Sequence, residues 1–164
     1  GYKDFAEEMI GEHKPAGPFK GWKTTMYNGG TCIPFLLRWP DKIKPGVSDT
    51  FVCQMDLLAS LAALTGQTYN DKIDSQNTIN AFLGYSDKGR EELVIEGMSN
   101  YAYRQNNWVM IPPYPGISSV YQLYNIKEDP GQNNNLAEKK PRLLRQMMMR
   151  MEQLKRETGK VTNY

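Results

Sequence analysis

The amino-acid sequence predicts an α/β chain in two parts: the closing portion of an α/β domain over residues 1–90, then a small α+β unit over residues 91–164. Three observations carry that expectation. A short continuous apolar run (Ile33, Phe35, Leu36 and Leu37, bounded by Pro34 and Pro40) precedes a turn-rich connection and a helical stripe, in the strand, loop, helix order of α/β folds. Beyond residue 90, aromatic and β-branched runs alternate with turn residues. Leucines and methionines at helical spacing then close the chain.

The elements follow in order. His13 to Gly30, "HKPAGPFKGWKTTMYNGG", combines four glycines, two prolines, three lysines and the only histidine, and has almost no apolar periodicity. It is a loop with unusual backbone freedom and positive charge, which suits an anionic ligand. The run "TCIPFLLRWP" is expected to be a strand buried on both faces, as in a parallel sheet covered by helices. "DKIKPGVSDT" is punctuated by Pro45 and Gly46 and reads as a connection. Gln54 to Leu64 predicts a helix with Leu57, Leu58, Leu61, Ala62 and Leu64 on a helical stripe and Gly66 where a helix C′ residue is favoured. Residues 67–90 are polar and rich in Asn, Asp and Gly. "ELVIEG", "YAYRQNNWVMI" and "VYQLYNI", separated by "NN", "PPYPG" and "EDPG", predict antiparallel strands joined by hairpins. The last helix begins near Pro141, and Leu143, Met147, Met151 and Leu154 form its core stripe, because a methionine stripe at helical spacing is usually core filler. Tyr101, Tyr103 and Trp108 are read as core before any sugar-stacking role.

Composition excludes several classes of function. The chain is 40% hydrophobic and 23% charged, so it has the apolar mass for a core. Its formal charge of +2 and the lack of a long basic run argue against nucleic acid as a partner. No segment approaches the ~20 apolar residues of a membrane span, and the opening "GYKDFAEEMIG" is unlike a signal peptide. Residue 1 is Gly rather than Met, as at a tag scar or fragment boundary. Cys32 and Cys53 lack metal-knuckle or redox spacing and are expected to be buried thiols.

At the level of motifs the sequence resembles type I sulfatases, the formylglycine-dependent arylsulfatase-like enzymes. "GEHKPAGPFKGWKTTMYNGGTCIPFLLRWPDKIKPGVSD" is similar to that family's G-H…G-x-K-x-x-x-Y-E-G-G-x-R-x-P-F…W-P segment, and "MDLLASLAALTG" to its D-L-x-x-T-L-x-x-L-x-G helix. "RQNNWVMI" resembles its R-x-G-x-W-K-x-I strand, and "QLYNIKEDPGQNNNLA" its E-L-Y-D-L-x-x-D-P-x-E-x-x-N-L-A hairpin. The four matches occur in family order. The resemblance implies the closing part of an alkaline-phosphatase-like α/β domain, and hydrolysis of sulfate monoesters on a glycan or an aryl or alkyl sulfate.

It also implies what lies elsewhere. The family's nucleophile is a formylglycine made inside a C-x-P-S-R or S-x-P-S-R motif, and no such motif occurs here. Its calcium is held by acidic residues near the amino terminus and by a D-N-G motif; Gly1, followed by "YKDF", stands where the residue after that D-N would fall. The chain therefore resembles the carboxy-terminal portion of a sulfatase. Nucleophile and calcium are expected from an amino-terminal catalytic part, with no metal site on this chain, which alone is expected to be inactive. By resemblance the location is periplasmic or secreted.

What remains of the site is the glycine-rich loop. Sulfate-ester hydrolysis builds negative charge on the sulfate oxygens and the leaving alkoxide, so fixed cations in a water-poor pocket are needed. Lys23 takes the lysine position of the family segment and is the expected catalytic and sulfate-binding cation; an ammonium serves as a compact point charge. His13 matches the family histidine and is the candidate proton donor and second substrate contact. Lys20 is a candidate contact at the pocket mouth. The sequence departs from the pattern at Asn28 and Cys32, for the usual Glu and Arg, and at Asn125 and Gln132, for the usual Asp and Glu; the last two are expected at surface turns. Two other functions stay open: a phosphate or phosphonate monoesterase of the same superfamily, and a non-catalytic module that binds sulfated glycans.

Overall fold

The computed structural model describes residues 11–69, 73–97 and 100–157, and these divide into two compact units. One unit joins the described residues up to Ile33 with those from Glu92 onward; the other runs from Pro34 to Glu91.

The first unit is built on a four-stranded antiparallel sheet in the order β1-β2-β3-β4, comprising β1 (Glu92–Gly97), β2 (Asn100–Gln105), β3 (Trp108–Ile111) and β4 (Gln122–Asn125). β2 and β3 are joined through Asn106 and Asn107. Asn106 takes φ +51°, a left-handed conformation that Asn tolerates better than most residues. Register alternates the side chains between two faces. Tyr103, Met110 and Leu123 stand opposite one another across three strands, and on this face Met147 and Met151 of the closing helix, Pro141–Glu157, complete a buried cluster. The methionine stripe is thus core, as expected. On the opposite face Ala102, Val109, Ile111 and Tyr124 pack against Met26 and Tyr27 of the opening segment. The continuous apolar character of "WVMI" now has its reason: the sheet is covered on both sides, so each alternate residue meets a core.

That second cover departs from the domain division read from sequence. The described part of 1–33, assigned there to the α/β portion, packs on the carboxy-terminal sheet, because Met26 and Tyr27 are its buried apolar anchors.

Glu92 ties the closing helix to the edge of the sheet. Arg150 donates to both its oxygens, Nη2 to Oε1 at 2.6 Å and Nε to Oε2 at 3.0 Å, and the Tyr103 hydroxyl donates to Oε2 at 2.6 Å. The Arg150 hydrogen bond, the largest influence, holds the Glu92 carboxyl below its usual pKa against the opposing effect of burial. Burial first, and Glu92 second, push the Tyr103 hydroxyl well up, so it remains protonated and keeps donating. Trp108 and Tyr101 lie at this face under Lys140 and Lys155, whose ammonium groups are 5.4 and 4.8 Å from the ring centroids. These aromatics are part of the packing, as expected.

The second unit holds a helix at Asp56–Thr65 and a short one at Ile79–Phe82, and no strand among its described residues. The first helix ends where the sequence indicates, with Gly66 in the left-handed conformation at φ +67°. Of its apolar stripe, Ala62 alone is buried and Leu57 partly so. Asp56, Ala59, Ser60 and Ala62 point inward, while Leu58, Leu61 and Leu64 are exposed. The inward face is held by polar contacts. Asp56 is fully buried, accepts from Arg90 through both oxygens at 2.8–3.0 Å and takes the Gln76 N–H at 2.9 Å, while Ser60 Oγ accepts the Thr78 N–H at 2.9 Å. Arg90 also donates to the Asp74 carbonyl. A buried pair of this kind is tolerated because each charge is also hydrogen-bonded to its neighbours.

The expected buried strand at Ile33 to Leu37 is likewise corrected. Residues 33–39 are irregular and exposed, Leu36 at 87%, with Phe35 resting against Phe82 at 5.5 Å between ring centroids. A strand needs a ladder partner for its backbone, and among the described residues none is supplied here. The thiol expectation is corrected as well: Cys32 is exposed and Cys53 only partly buried. Cys32 follows directly on a four-residue helix, Asn28–Thr31, and its N–H bonds back to the Asn28 carbonyl at 2.9 Å, which leaves the side chain outward.

Candidate functional site

Lys23 sits at the tip of a tight turn. The Thr25 N–H donates to the Trp22 carbonyl at 3.0 Å, which makes Lys23 and Thr24 the two central residues. Thr24 takes φ +80° at the position where type II turns call for Gly or Asn. A β-branched residue in that region is strained, and such strain persists only where the surroundings over-determine it. Here the buried Thr25 hydroxyl clamps the turn, accepting from the Trp22 N–H at 3.1 Å and donating to its carbonyl at 2.8 Å. The Lys23 side chain stands exposed at this tip, with no hydrogen bond or ion pair among the described residues.

The glycines serve the loop itself. Gly29 donates its N–H to the Lys20 carbonyl at 2.8 Å, and a Cβ there would lie 2.5 Å from the Gly21 oxygen and 2.6 Å from the Lys20 oxygen. One at Gly30 would lie 2.5 Å from the Trp22 oxygen. The Gly-Gly pair is therefore required because two arms of one loop pass in backbone contact, closing it on itself below Lys23.

Beneath the closed loop lies a polar layer over the sheet. The Tyr27 and Tyr124 hydroxyls both donate to Gln122 Oε1, at 2.7 and 2.6 Å. The Asn28 N–H donates to Gln132 Oε1 at 2.6 Å, and Asn28 Nδ2 to the Pro130 carbonyl at 3.0 Å. Burial, with the neighbouring Tyr27 and Asp129, raises the Tyr124 pKa well above the ordinary tyrosine value, so this donor stays protonated. Gln122 Nε2 and Gln132 Nε2 are buried donors without a partner among the described residues.

The structure treats the three sequence candidates differently. Lys23 is presented outward on a held turn. His13 is exposed on the preceding segment, before the turn closed by Gly17 N–H on the Lys14 carbonyl at 2.8 Å. Lys20 is drawn to the fold: its Nζ lies 3.5 Å from the Gln132 carbonyl, 4.5 Å from the Tyr27 ring centroid and 5.8 Å from that of Tyr124. Its charge also acts on Asp129. Burial pushes that carboxyl upward, but N–H donation from Asn133 and Asn134, with Lys20 adding to it, leaves it lowered overall. Gln132 corrects the expectation of a surface turn, being fully buried. Sequence reasoning missed it because "DPGQNNN" is polar throughout, and nothing local marks which side chain turns inward.

Among the described residues no three His, Cys, Asp or Glu side chains gather into a group that could hold a metal ion. The residues compared above with the D-N-G motif lie outside the described residues. No helix among the described residues is long and apolar enough to cross a membrane.

Comparison with known proteins agrees with this loop-on-sheet arrangement. The Sulfatase family model matches residues 8–67. An N-acetylgalactosamine-6-O-sulfatase of Bacteroides thetaiotaomicron is 34% identical over 94% of this chain and 33% of its own length. An arylsulfatase of Hemicentrotus pulcherrimus is 32% identical over 57% of this chain and 15% of its own. A solved structure from work on the metabolism of multiple glycosaminoglycans by Bacteroides thetaiotaomicron superposes with a TM-score of 0.83 at 33% identity, covering 93% of this chain and 35% of that one. The fold is that of the sulfatases, and the chain belongs to the sulfatase family. It spans about a third of the length of the curated relative it matches over nearly its whole extent.

Proposed function

We propose that this chain supplies one wall of a sulfate-ester hydrolase site, acting on sulfated glycans, with Lys23 as the fixed cation that meets the sulfate group. The observation that carries the reading is the placement of Lys23: an outward ammonium on a strained, clamped turn, in the loop where the family match falls. A cation held in advance costs no reorganisation when charge builds on the sulfate oxygens. His13 is assigned as a proton donor to the leaving oxygen, or as a second contact to sulfate. Lys20, shared between Gln132 and two tyrosine rings, contributes field at the rim. The glycan preference is supported by the relatives named for N-acetylgalactosamine-6-O-sulfatase activity and glycosaminoglycan metabolism.

Formylglycine and calcium are assigned to polypeptide outside these residues, together with a periplasmic or secreted location. The exposed apolar segment Ile33, Phe35, Leu36 and Leu37 is the surface proposed to pair with that polypeptide, becoming the strand its composition favours once a sheet edge is offered.

The test is Lys23→Ala in the complete enzyme, assayed on an aryl sulfate and on a sulfated disaccharide. Turnover should fall by about 10²–10³, equivalent to about 2.7–4 kcal/mol of transition-state stabilisation, with the circular dichroism spectrum unchanged. Wild-type turnover in the folded variant would overturn the assignment.

A further inference from the structure

We infer that Gln132 is a positioning residue for Lys23, acting through the Asn28–Gly30 turn. The inference rests on the reading of Lys23 given above. Gln132 holds a left-handed backbone at φ +51° and is fully buried, in a turn whose neighbours Asn133 and Asn134 are exposed. A residue with a long polar side chain seldom sits there unless contacts hold its backbone as well as its side chain. Three are visible. Its N–H donates to the Asp129 carbonyl at 3.0 Å, its own carbonyl faces Lys20 Nζ at 3.5 Å, and its Oε1 accepts the Asn28 N–H at 2.6 Å.

The last contact begins a continuous path to the site. Asn28 is followed by Gly29, whose N–H closes on the Lys20 carbonyl at 2.8 Å, and by Gly30, which lies against the Trp22 and Thr25 oxygens. Those two oxygens flank Lys23 on its turn. The 130–132 turn also approaches the loop at Pro18, since a Cβ on Gly131 would lie 3.2 Å from the Pro18 oxygen, and it receives Asn28 Nδ2 on the Pro130 carbonyl. One turn of the sheet unit thus grips both arms of the loop, and Gln132 is the only one of its side chains that is buried between them.

The choice of a carboxamide is consistent with that role. The Gln132 carboxamide offers the Asn28 backbone N–H a neutral acceptor, Oε1 at 2.6 Å, at no cost of buried charge.

The experiment is a double-mutant cycle in the complete enzyme, combining Gln132→Leu with Lys23→Ala, with kcat and KM measured on an aryl sulfate and hydrogen exchange read at the Asn28 and Gly29 amides. Gln132→Leu should lower kcat by about tenfold or more while KM moves less, because a misplaced group loses transition-state contact first. It should also speed exchange at Asn28 and Gly29 and leave the Tyr103 and Tyr124 amides protected. In the Lys23→Ala background the same substitution should have almost no further effect on kcat. Gln132→Glu, which keeps the acceptor but buries a charge, should retain more of the rate per folded enzyme than Gln132→Leu. If Gln132→Leu does not fold, Gln132→Asn, one methylene short of Asn28, carries the same cycle. An equal loss in both backgrounds, or an unchanged kcat, overturns the positioning role and leaves Lys23 in place; a harmless Lys23→Ala instead removes the site reading itself.

Discussion

Gly29 shows how closely a single residue is constrained in this loop. Its hydrogen sits where a methyl would lie 2.5 Å from one carbonyl oxygen and 2.6 Å from another, both backbone atoms that cannot swing aside. Gly29→Ala should therefore destabilise the chain by about 1–3 kcal/mol, the range of overpacking, and should displace the Lys23 turn. Gly17 offers the contrast: it has a left-handed φ of +58° but open space around it, so Gly17→Ala should cost only about 1–2 kcal/mol through backbone strain. Urea unfolding of the two variants checks the order, and a milder Gly29→Ala would sink the close-approach account. The glycine content of the loop was legible in the sequence. Its cause was not, because the two arms are brought together by contacts distant in sequence, the Gly29 to Lys20 hydrogen bond and the grip of the 130–132 turn on both.

At the scale of elements, the closing helix is attached to β1 by a charge contact as well as by Met147 and Met151. Because the Glu92 pKa is lowered in the folded chain, its contribution to stability is present above the unfolded value near 4.5 and is lost as pH falls through the lower folded value. Stability should therefore drop on acidification below about pH 4.5, and Glu92→Gln should flatten that part of the profile while lowering stability at neutral pH. Thermal melts between pH 3 and 7 would show it; parallel profiles for the two proteins would refute the linkage. The hairpins and the closing helix were readable from period and turn residues alone, since each buries its apolar face within this chain. The helix at Asp56–Thr65 was readable in its limits but not in its orientation. Its leucine stripe implied the inner face, yet the Asp56 to Arg90 pair and the Ser60 to Thr78 contact turn the small polar side inward.

For the molecule as a whole, the most telling surface is on the Pro34–Glu91 unit. Leu36, Val47, Leu58 and Leu61 are each more than half exposed, which is more apolar surface than isolated residues explain. The chain expressed by itself should bind the dye ANS, and Leu36→Ser with Leu58→Ser should reduce that fluorescence without lowering the melting temperature. Undiminished dye binding in the double variant would rule out this face as the source.

Local chemistry alone determined where the chain turns, which segments are helical or extended in the sheet unit, and which ammonium the sulfatase resemblance selects. Only the tertiary structure decided that the opening loop covers the carboxy-terminal sheet, that Gln132 lies beneath it, and that the run at Ile33 to Leu37 finds no ladder partner among the described residues. The reason is physical: turn and period signals are properties of neighbours in sequence, whereas a ladder partner, a buried acceptor or a covering face must come from residues far along the chain or beyond it.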